Sequence, residues 1–517
     1  MDGVDLAAAS NVATSRRRDD RWIDAAIVAT CLVLAVAQFA TNRIMSGFDS
    51  GVYFGAASQF VAGHLPYRDF VFVQPPGSLV LLSPWALIGH WTTLTTGFIL
   101  ARGFSAVVVS AVAVLVSRLL RPCGRRAALL GGLAVALAPT ATFEMTAVKL
   151  EPYCLALALA GAYAIMAAQG RDESGVRRSV TLAGIALGVA GAVKLWALLI
   201  FIALAVCVWR LGRPLLVRFV AWSALGFTVV AGPFFIASPS NFVNQVIVAQ
   251  LTRTHNAQGT VTLFNRLGQL TGLRNTPLAL TNVELSILFG AIAAVALAAV
   301  FVGGPRRLVD DFFLVGGVLT MGALLASKEF YNYYGYFLAP FLVGLVITSL
   351  DRLTRALAAR LVTAAGRSTV MVARRVSTAV LIVALAGVGV VTGHHLIEVD
   401  AGVTLPTLID NYVPSGSCVI FDDAIQGVLS NRLVSSSRSC PVIVDSGGLS
   451  MAVGGEHPLR SLALARVWRH DFLAAQYVVI AGFTPLGIPW TGTLYSWFLQ
   501  QYHVVYNGFT YVIYRRN

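Results

Sequence analysis

Apolar residues gather into long runs at about 23–42, 102–120, 128–146, 152–169, 180–193, 195–209, 219–237, 285–303, 312–326, 331–349 and 376–393. Each reads as a helix crossing a membrane, which needs roughly 20 apolar residues. The stretch 180–209 predicts two short spans that turn near Lys194. Arg171, Arg177 and Arg178 precede it, Arg210, Arg213 and Arg218 follow it, and both clusters belong on the same side. Both halves are expected to tilt or to stop at a cavity. Residues 50–62 and 76–90 are apolar at helical spacing but too short to span comfortably, and they predict two helices lying in the interface. Their aromatic residues Tyr53, Phe54, Phe60, Tyr67, Phe70, Phe72 and Trp85 are expected at headgroup level. An amphipathic stretch, NFVNQVIVAQLTRTHN, begins at Asn241 and carries Asn244, Gln245, Arg253 and His255. Beyond about 396 the pattern changes. Segments 418–423, 441–445, 477–482, 503–508 and 510–515 read as strands, and 404–412, 457–474 and 491–502 as helices. That predicts a small α/β domain.

Composition removes the soluble alternatives. The chain has 517 residues, 57% hydrophobic and 12% charged, with a mean hydropathy of +0.74; a soluble domain carries about 25% charged residues. The net charge of +14 would suggest nucleic acid in a soluble protein. Here the basic residues sit in clusters between apolar runs, so they read as topology signals and no nucleic-acid partner is expected. Of the 38 basic residues, 22 fall in loops assigned to the cytoplasm. Arg43, Arg68, Arg102, Lys149, Lys194, Arg253, Arg266, Arg274 and Lys328 fall on the outer side, and the rest in the tail. The chain is therefore expected to be a multi-pass cell-membrane protein with a cytoplasmic segment 1–22. A transmembrane domain 23–395 follows, with an outer loop 43–101, and then an extracytoplasmic domain 396–517. The first apolar run carries no clear cleavage site.

Cys31, Cys123, Cys154 and Cys207 have no metal-ligand spacing. Cys418 and Cys440 stand at the starts of two predicted strands in an oxidising compartment, where a disulfide is expected; two separate buried thiols are the plainer alternative. No histidine spacing matches a metal motif, and the His394–His395 pair reads as hydrated.

Candidate chemistry concentrates on the outer side. All three lysines, Lys149, Lys194 and Lys328, lie there, while arginine is used everywhere else. Compact cations at that surface suit an anionic group. EMTAVKLEPY puts Glu144, Lys149 and Glu151 in one short turn, and ionisable groups at membrane depth default to function. The plain alternative is that Lys149 pairs with Glu144 or Glu151. SKEFYNYYGYF brings Lys328 next to Tyr331 and Tyr334, which suits a charged headgroup and a sugar, or equally an aromatic belt. Asp49 stands just past the first span.

Four features in order carry a resemblance: FDSGVYFGAASQFVAGHLPYRDF with QPPGSLVLLSPWALIG, then Arg102, then KLEPY, then VKLW and SKEFYNYYGYFLAP. The sequence resembles the GT-C superfamily of polyprenyl-phosphate-sugar glycosyltransferases over about residues 23–350. Protein mannosyltransferases and the lipid A aminoarabinose transferase are the nearest in style. The resemblance implies a GT-C-like helical membrane fold and an inverting sugar transfer from a polyprenyl-phosphate donor to an acceptor hydroxyl on the outer face. Asp49 would be the general base and Glu151 would orient the donor sugar or a lysine. Lys194, Lys328, Lys149 and Arg102 would hold the donor phosphate. Asp69, Tyr53, Glu144, Tyr331, Tyr334 and His255 would be substrate contacts. The expected partners are the lipid donor, membrane lipids and a glycan, glycolipid or protein acceptor. No divalent metal and no other cofactor are expected, because the leaving group is a lipid phosphate and Asp49 has no neighbouring carboxylate. Mannose, arabinose, galactose and aminoarabinose donors are all compatible. A transporter or lipid-linked-sugar flippase is the rival reading. No inverted repeat supports it, and the charges lie at one surface instead of the midplane.

Overall fold

The structure is a computed structural model. It describes residues 21–41, 47–252, 262–272, 280–302, 305–327, 330–361, 408–455, 457–481, 487–508 and 510–517, with four isolated positions between 379 and 389. The predicted span 376–393 falls almost wholly outside the described residues, as do Lys328, His255, His394 and His395.

Seven described helices are long and apolar enough to cross a membrane. They belong to α1 (Arg21–Thr41), α4 (Leu94–Leu120), α8 (Glu173–Val193), α10 (Arg213–Ala237), α12 (Asn282–Phe301), α13 (Leu308–Ala326) and α14 (Tyr334–Leu361). An eighth crossing is broken. Helix α5 (Arg125–Ala136) bends by 50° into the segment Pro139–Met145, which ends in the short helix α6 (Thr142–Met145). Pro139 supplies the cause, since it has no N–H to continue the helix and disfavours helical backbone at Ala138. The two shorter apolar helices are α7 (Leu150–Met166) and α9 (Ala197–Leu211), and the short helix α11 (Leu263–Thr271) lies between α10 and α12 in the chain.

The turn at Lys194 is where the charge pattern put it, but its two arms are unequal. Helix α8 begins at Glu173, takes in Arg177 and Arg178, and is long enough to span. Only α9 is short. The expectation missed this because it ended the first arm where the basic residues began, although arginine stems readily continue a helix. Helices α8 and α10 touch backbone to backbone. A Cβ on Gly226 would lie 2.7 Å from the Ile185 carbonyl oxygen, and one on Gly184 2.8 Å from that of Phe219. Small residues at such crossings let helices approach where lipid gives no hydrophobic drive.

The two predicted interfacial helices exist as α2 (Phe48–Val61) and α3 (Gly77–Trp91). Most of their aromatics are not at a lipid surface, however: Phe54 and Phe72 are fully buried, Tyr67 is 1% exposed, and Phe60 and Trp85 are half-buried. The segment after α10 covers part of this loop, where Tyr67 meets the Phe242 ring at 5.0 Å and the Phe72 amide donates to Gln245 Oε1 at 2.9 Å. The C-terminal region lies on α2. A Cβ on Gly51 would sit 2.8 Å from the Ile425 Cα, so only glycine admits this approach. Ile425, Val428 and Leu433 share one continuous core with Val52, Tyr53 and Phe54. Polar ties add to this: Gln59 Nε2 donates to the Leu433 carbonyl at 2.9 Å, and the Leu94 amide donates to Asn431 Oδ1 at 2.9 Å.

The C-terminal region itself holds a four-stranded sheet in the order β1 (Val419–Phe421), β2 (Tyr477–Ala481), β4 (Tyr511–Arg516), β3 (Tyr502–Asn507). The β1–β2 pair is parallel, with Val419 opposite Tyr477; β2–β4 and β3–β4 are antiparallel. Trp468, Phe472, Phe498 and Tyr502 fill its core. Residues 441–445, expected as a strand, join no ladder. They run between two fixed points. Cys440 is disulfide-bonded to Cys418, with Cα atoms 5.3 Å apart, and Asp445 caps the next helix through the Gly448 amide at 2.6 Å.

Candidate active site

Asp49 lies in the first turn of α2, where the helix dipole favours a carboxylate. Ser50, next to it, accepts the Val148 amide through its Oγ at 3.2 Å and so pins the turn before α7 against α2. That turn carries Lys149, whose Nζ meets Asp49 Oδ2 at 2.6 Å. The Lys149 ammonium also sits over the Tyr333 ring, 3.8 Å from its centroid, an attraction of the cation to the π face. The Tyr333 phenol also acts on Asp49 electrostatically. Burial works to raise the Asp49 pKa, but the Lys149 ammonium and the Tyr333 hydroxyl together outweigh it and hold the carboxyl below its ordinary value. Tyr53, one helical turn on from Asp49, is pushed well above the usual phenol range by burial and by the nearby carboxylates.

A second pair of the same design stands beside the first. Glu151 occupies the first turn of α7, and Lys194 ends α8 in extended backbone, so each charge suits the dipole end it occupies. Lys194 Nζ lies 2.5 Å from Glu151 Oε1. Its ammonium lies 4.6 Å from the centroid of the Trp196 ring and 5.4 Å from that of Tyr334. Tyr333 and Tyr334 meet edge to face at 5.0 Å and join the two pairs. Each lysine therefore has one carboxylate and an aromatic wall.

Glu144 is the third carboxylate, on the far limb of the broken span. It is fully buried, and neither oxygen has a hydrogen-bond partner among the described residues. Lys149, Lys194, Glu151 and Asp49 all act on it electrostatically. The C-terminal region adds a fourth acidic residue. Asp423 accepts the Ile425 amide at 3.2 Å at the very contact that packs on Gly51. Burial first, and Asp49 in part, push its pKa up to about 6.

The structure thus brings together Asp49, Lys149, Glu151, Lys194, Glu144, Tyr53 and Tyr334. Arg102 lies two turns inside α4, not at its outer start. It is 1% exposed, donates to the Thr146 carbonyl at 2.7 Å and covers the Phe39 ring at 4.8 Å. It braces the turn that carries Lys149. Asp69 is bound within its own turn, to the Leu65 amide at 2.7 Å and to Arg68 at 2.8 Å. Tyr331 stacks on Tyr333 at 5.4 Å. Tyr333 was not singled out from the sequence, because four tyrosines in six residues gave no reason to prefer it; its place one residue before α14 decides which way it faces. Among the described residues no cluster of three or more His, Cys, Asp or Glu has the geometry to hold a metal ion.

Residues 81–247 match the sequence model of the dolichyl-phosphate-mannose-protein mannosyltransferase family. No curated protein is similar enough to the chain to count as a match. Two solved structures of ArnT from Cupriavidus metallidurans are similar along nearly the whole chain. The one bound to undecaprenyl phosphate has a TM-score of 0.58 at 16% identity, covering 95% of this chain and 97% of that one. The apo form has a TM-score of 0.57 at 15% identity with the same coverage. The oligosaccharyltransferase of Archaeoglobus fulgidus in its apo form has a TM-score of 0.50 at 13% identity, covering 95% of this chain and 74% of that one. Identities this low establish architecture alone: the chain shares the membrane fold of the ArnT and oligosaccharyltransferase structures.

Proposed function

We propose that the protein is an integral membrane glycosyltransferase of the GT-C type that takes a sugar from a polyprenyl-phosphate donor. The observation that carries this reading is the pair of lysine–carboxylate contacts, Lys149 with Asp49 and Lys194 with Glu151, at one end of the bundle. The match to a lipid-phosphate-mannose transferase family and the likeness to an undecaprenyl-phosphate-bound fold support it. In the proposed reaction Asp49 accepts the proton of the acceptor hydroxyl as that oxygen attacks the anomeric carbon. The bond from that carbon to the phosphate oxygen breaks, its electrons stay on the phosphate, and the sugar is inverted. The phosphate gains one negative charge, which Lys149 and Lys194 are placed to stabilise. Glu151 orients Lys194, and Glu144, with unused hydrogen-bonding capacity, contacts the donor sugar. The arginine-rich end of the bundle faces the cytoplasm in this reading. The lysine end and the C-terminal domain face outward, where an acceptor glycan, glycolipid or protein is met. The protein's own cations serve the leaving phosphate, so transfer is expected to survive a chelator.

The test is release of polyprenyl phosphate by the purified protein in lipid, offered a panel of polyprenyl-phosphate sugars, with Asp49→Asn alongside. Release by the wild type and not by the variant fixes the class, the base and the sugar together. No release from any donor by folded protein, with acceptors present, overturns the reading in favour of a transport role.

A further inference from the structure

Glu144 is placed without being tied. Its side chain is fully buried, and neither carboxyl oxygen has a hydrogen-bond partner among the described residues. A carboxylate kept free for a ligand is not oriented by bonds of its own, so the backbone that carries it has to be held instead. That backbone is weak alone. Helix α6 has four residues, Thr142–Met145, and follows the break at Pro139. A single helical turn has little stability by itself.

The groups that hold it come from α1 and α4. Gln38 belongs to the buried stripe Ile27, Cys31, Ala35 and Gln38 of α1, whose spacing of three and four residues makes one helix face. A carboxamide at membrane depth needs partners. Gln38 finds them at both ends of α6. Its Nε2 donates to the Thr142 carbonyl at 2.8 Å, and its Oε1 accepts the Thr146 hydroxyl at 3.1 Å. Arg102 of α4 donates to the Thr146 carbonyl at 2.7 Å. Glu144 stands midway between the two threonines. Lys149 is fixed separately, from the side of α2, where Ser50 accepts the Val148 amide at 3.2 Å.

We infer, on the transferase reading above, that Gln38 is a positioning residue of the reaction: by clamping both ends of the short helix it aims Glu144 at the donor sugar and leaves both carboxyl oxygens free to bind it. The side chain suits the task. One planar amide offers a donor and an acceptor a fixed distance apart, and these meet a carbonyl at the start of the turn and a hydroxyl just past its end. Being neutral, it grips the helix without drawing the carboxylate onto itself.

The experiment measures kcat and donor affinity in the reconstituted protein, the latter as KM and, where turnover is too slow, as a binding isotherm. It uses Gln38→Leu alone and combined with Glu144→Ala, with Thr146→Val and Thr146→Ser beside them. Q38L keeps most of the bulk of the side chain and loses both contacts. Its donor KM should rise several-fold, up to the about tenfold that loss of one neutral hydrogen bond to the sugar allows. Its kcat should stay within about twofold of the wild type, because Asp49 and Lys149 are held by other groups. In the E144A background the same substitution should add nothing, since a clamp that acts through Glu144 then has nothing to aim. T146V keeps the shape and loses the hydroxyl, so it should repeat part of the rise, and T146S, which keeps the hydroxyl, should retain the wild-type KM. If Q38L does not fold, T146V carries the same comparison. An unmoved donor KM in Q38L and T146V, a loss confined to kcat, or a rise that persists in full in the E144A background overturns the inference while the transferase reading stands. Absence of transfer by the wild type overturns both.

Discussion

The two ends of the helical bundle hold similar numbers of carboxylates in opposite ways. At one end Asp24 meets Arg118 at 2.9 Å and Arg121 at 3.0 Å. Asp351 meets Arg307 at 2.8 Å and Arg355 at 3.0 Å, and Asp310 meets Arg307 at 2.7 Å. Asp311 pairs with Arg210. Arg352 donates to the carbonyls of Ala299, Val302 and Pro305 and closes the end of α12. Guanidinium forks grip two atoms at once and seldom let go. At the other end Asp49 and Glu151 have one lysine each, and Glu144 has no hydrogen-bond partner among the described residues. A lysine is a point charge on a flexible stem, easily handed to another anion. The first end is a saturated latch between helices. The second is left under-bonded, which is tolerable only where something else comes to bind.

Four substitutions test that contrast. The largest effect belongs to Asp49→Asn: transfer should fall about 10²- to 10⁴-fold with donor binding kept, read as polyprenyl-phosphate release beside a donor-binding isotherm. A variant that still turns over would make the lysine end structural as well. At the latch, Asp310→Asn should lower stability by about 3 kcal/mol or more in detergent melts, since it strips a buried partner from Arg307. Transfer per folded molecule should stay unchanged there; a selective loss of activity would erase the distinction between the ends. Glu144→Gln should leave the melting temperature level, because neither carboxyl oxygen has a hydrogen bond to lose among the described residues. Its donor KM should rise by less than about tenfold, the worth of one neutral hydrogen bond to a sugar. A clear loss of stability would mean that Glu144 has a partner after all. The smallest effect is a pH trend at Asp423. Its folded pKa of about 6 is above its ordinary value, so its contribution is full below the unfolded pKa and fades as pH rises through 6. Asp423→Asn, which can still cap the helix, should flatten that part of the stability–pH curve.

Much of the second end was legible because charge in an apolar stretch stands out. Asp49, Lys149, Glu151 and Lys194 are conspicuous for that reason, and the Lys194 turn follows from arginine clusters alone. What stayed hidden depends on partners far away in sequence. The cover over Gly51 and Gly55 of α2 comes from Ile425 and Leu433, and that over Phe72 involves Gln245, none of which a local pattern announces. The pairing of Lys149 with Asp49, and not with either near glutamate, depends on Ser50 binding the 148 amide. Arg102 looked like a phosphate ligand because the apolar run appeared to start there, whereas α4 begins at Leu94. Tyr333 differs from its neighbours only in its place in the turn before α14. The segment 441–445 has strand composition but is fixed at both ends by other bonds.

The close packing of Ile425 on Gly51 has a consequence for how the molecule is made. The helix that carries Asp49 is sealed by residues that are synthesised some 374 positions after it, as the Gln59–Leu433 bond measures. Contacts so distant in sequence form late in folding. A nascent chain can insert the helices made before Ile425 and still lack the cover over α2 until the C-terminal sheet region has folded onto it. Copies cut short of Ile425 leave α2 open.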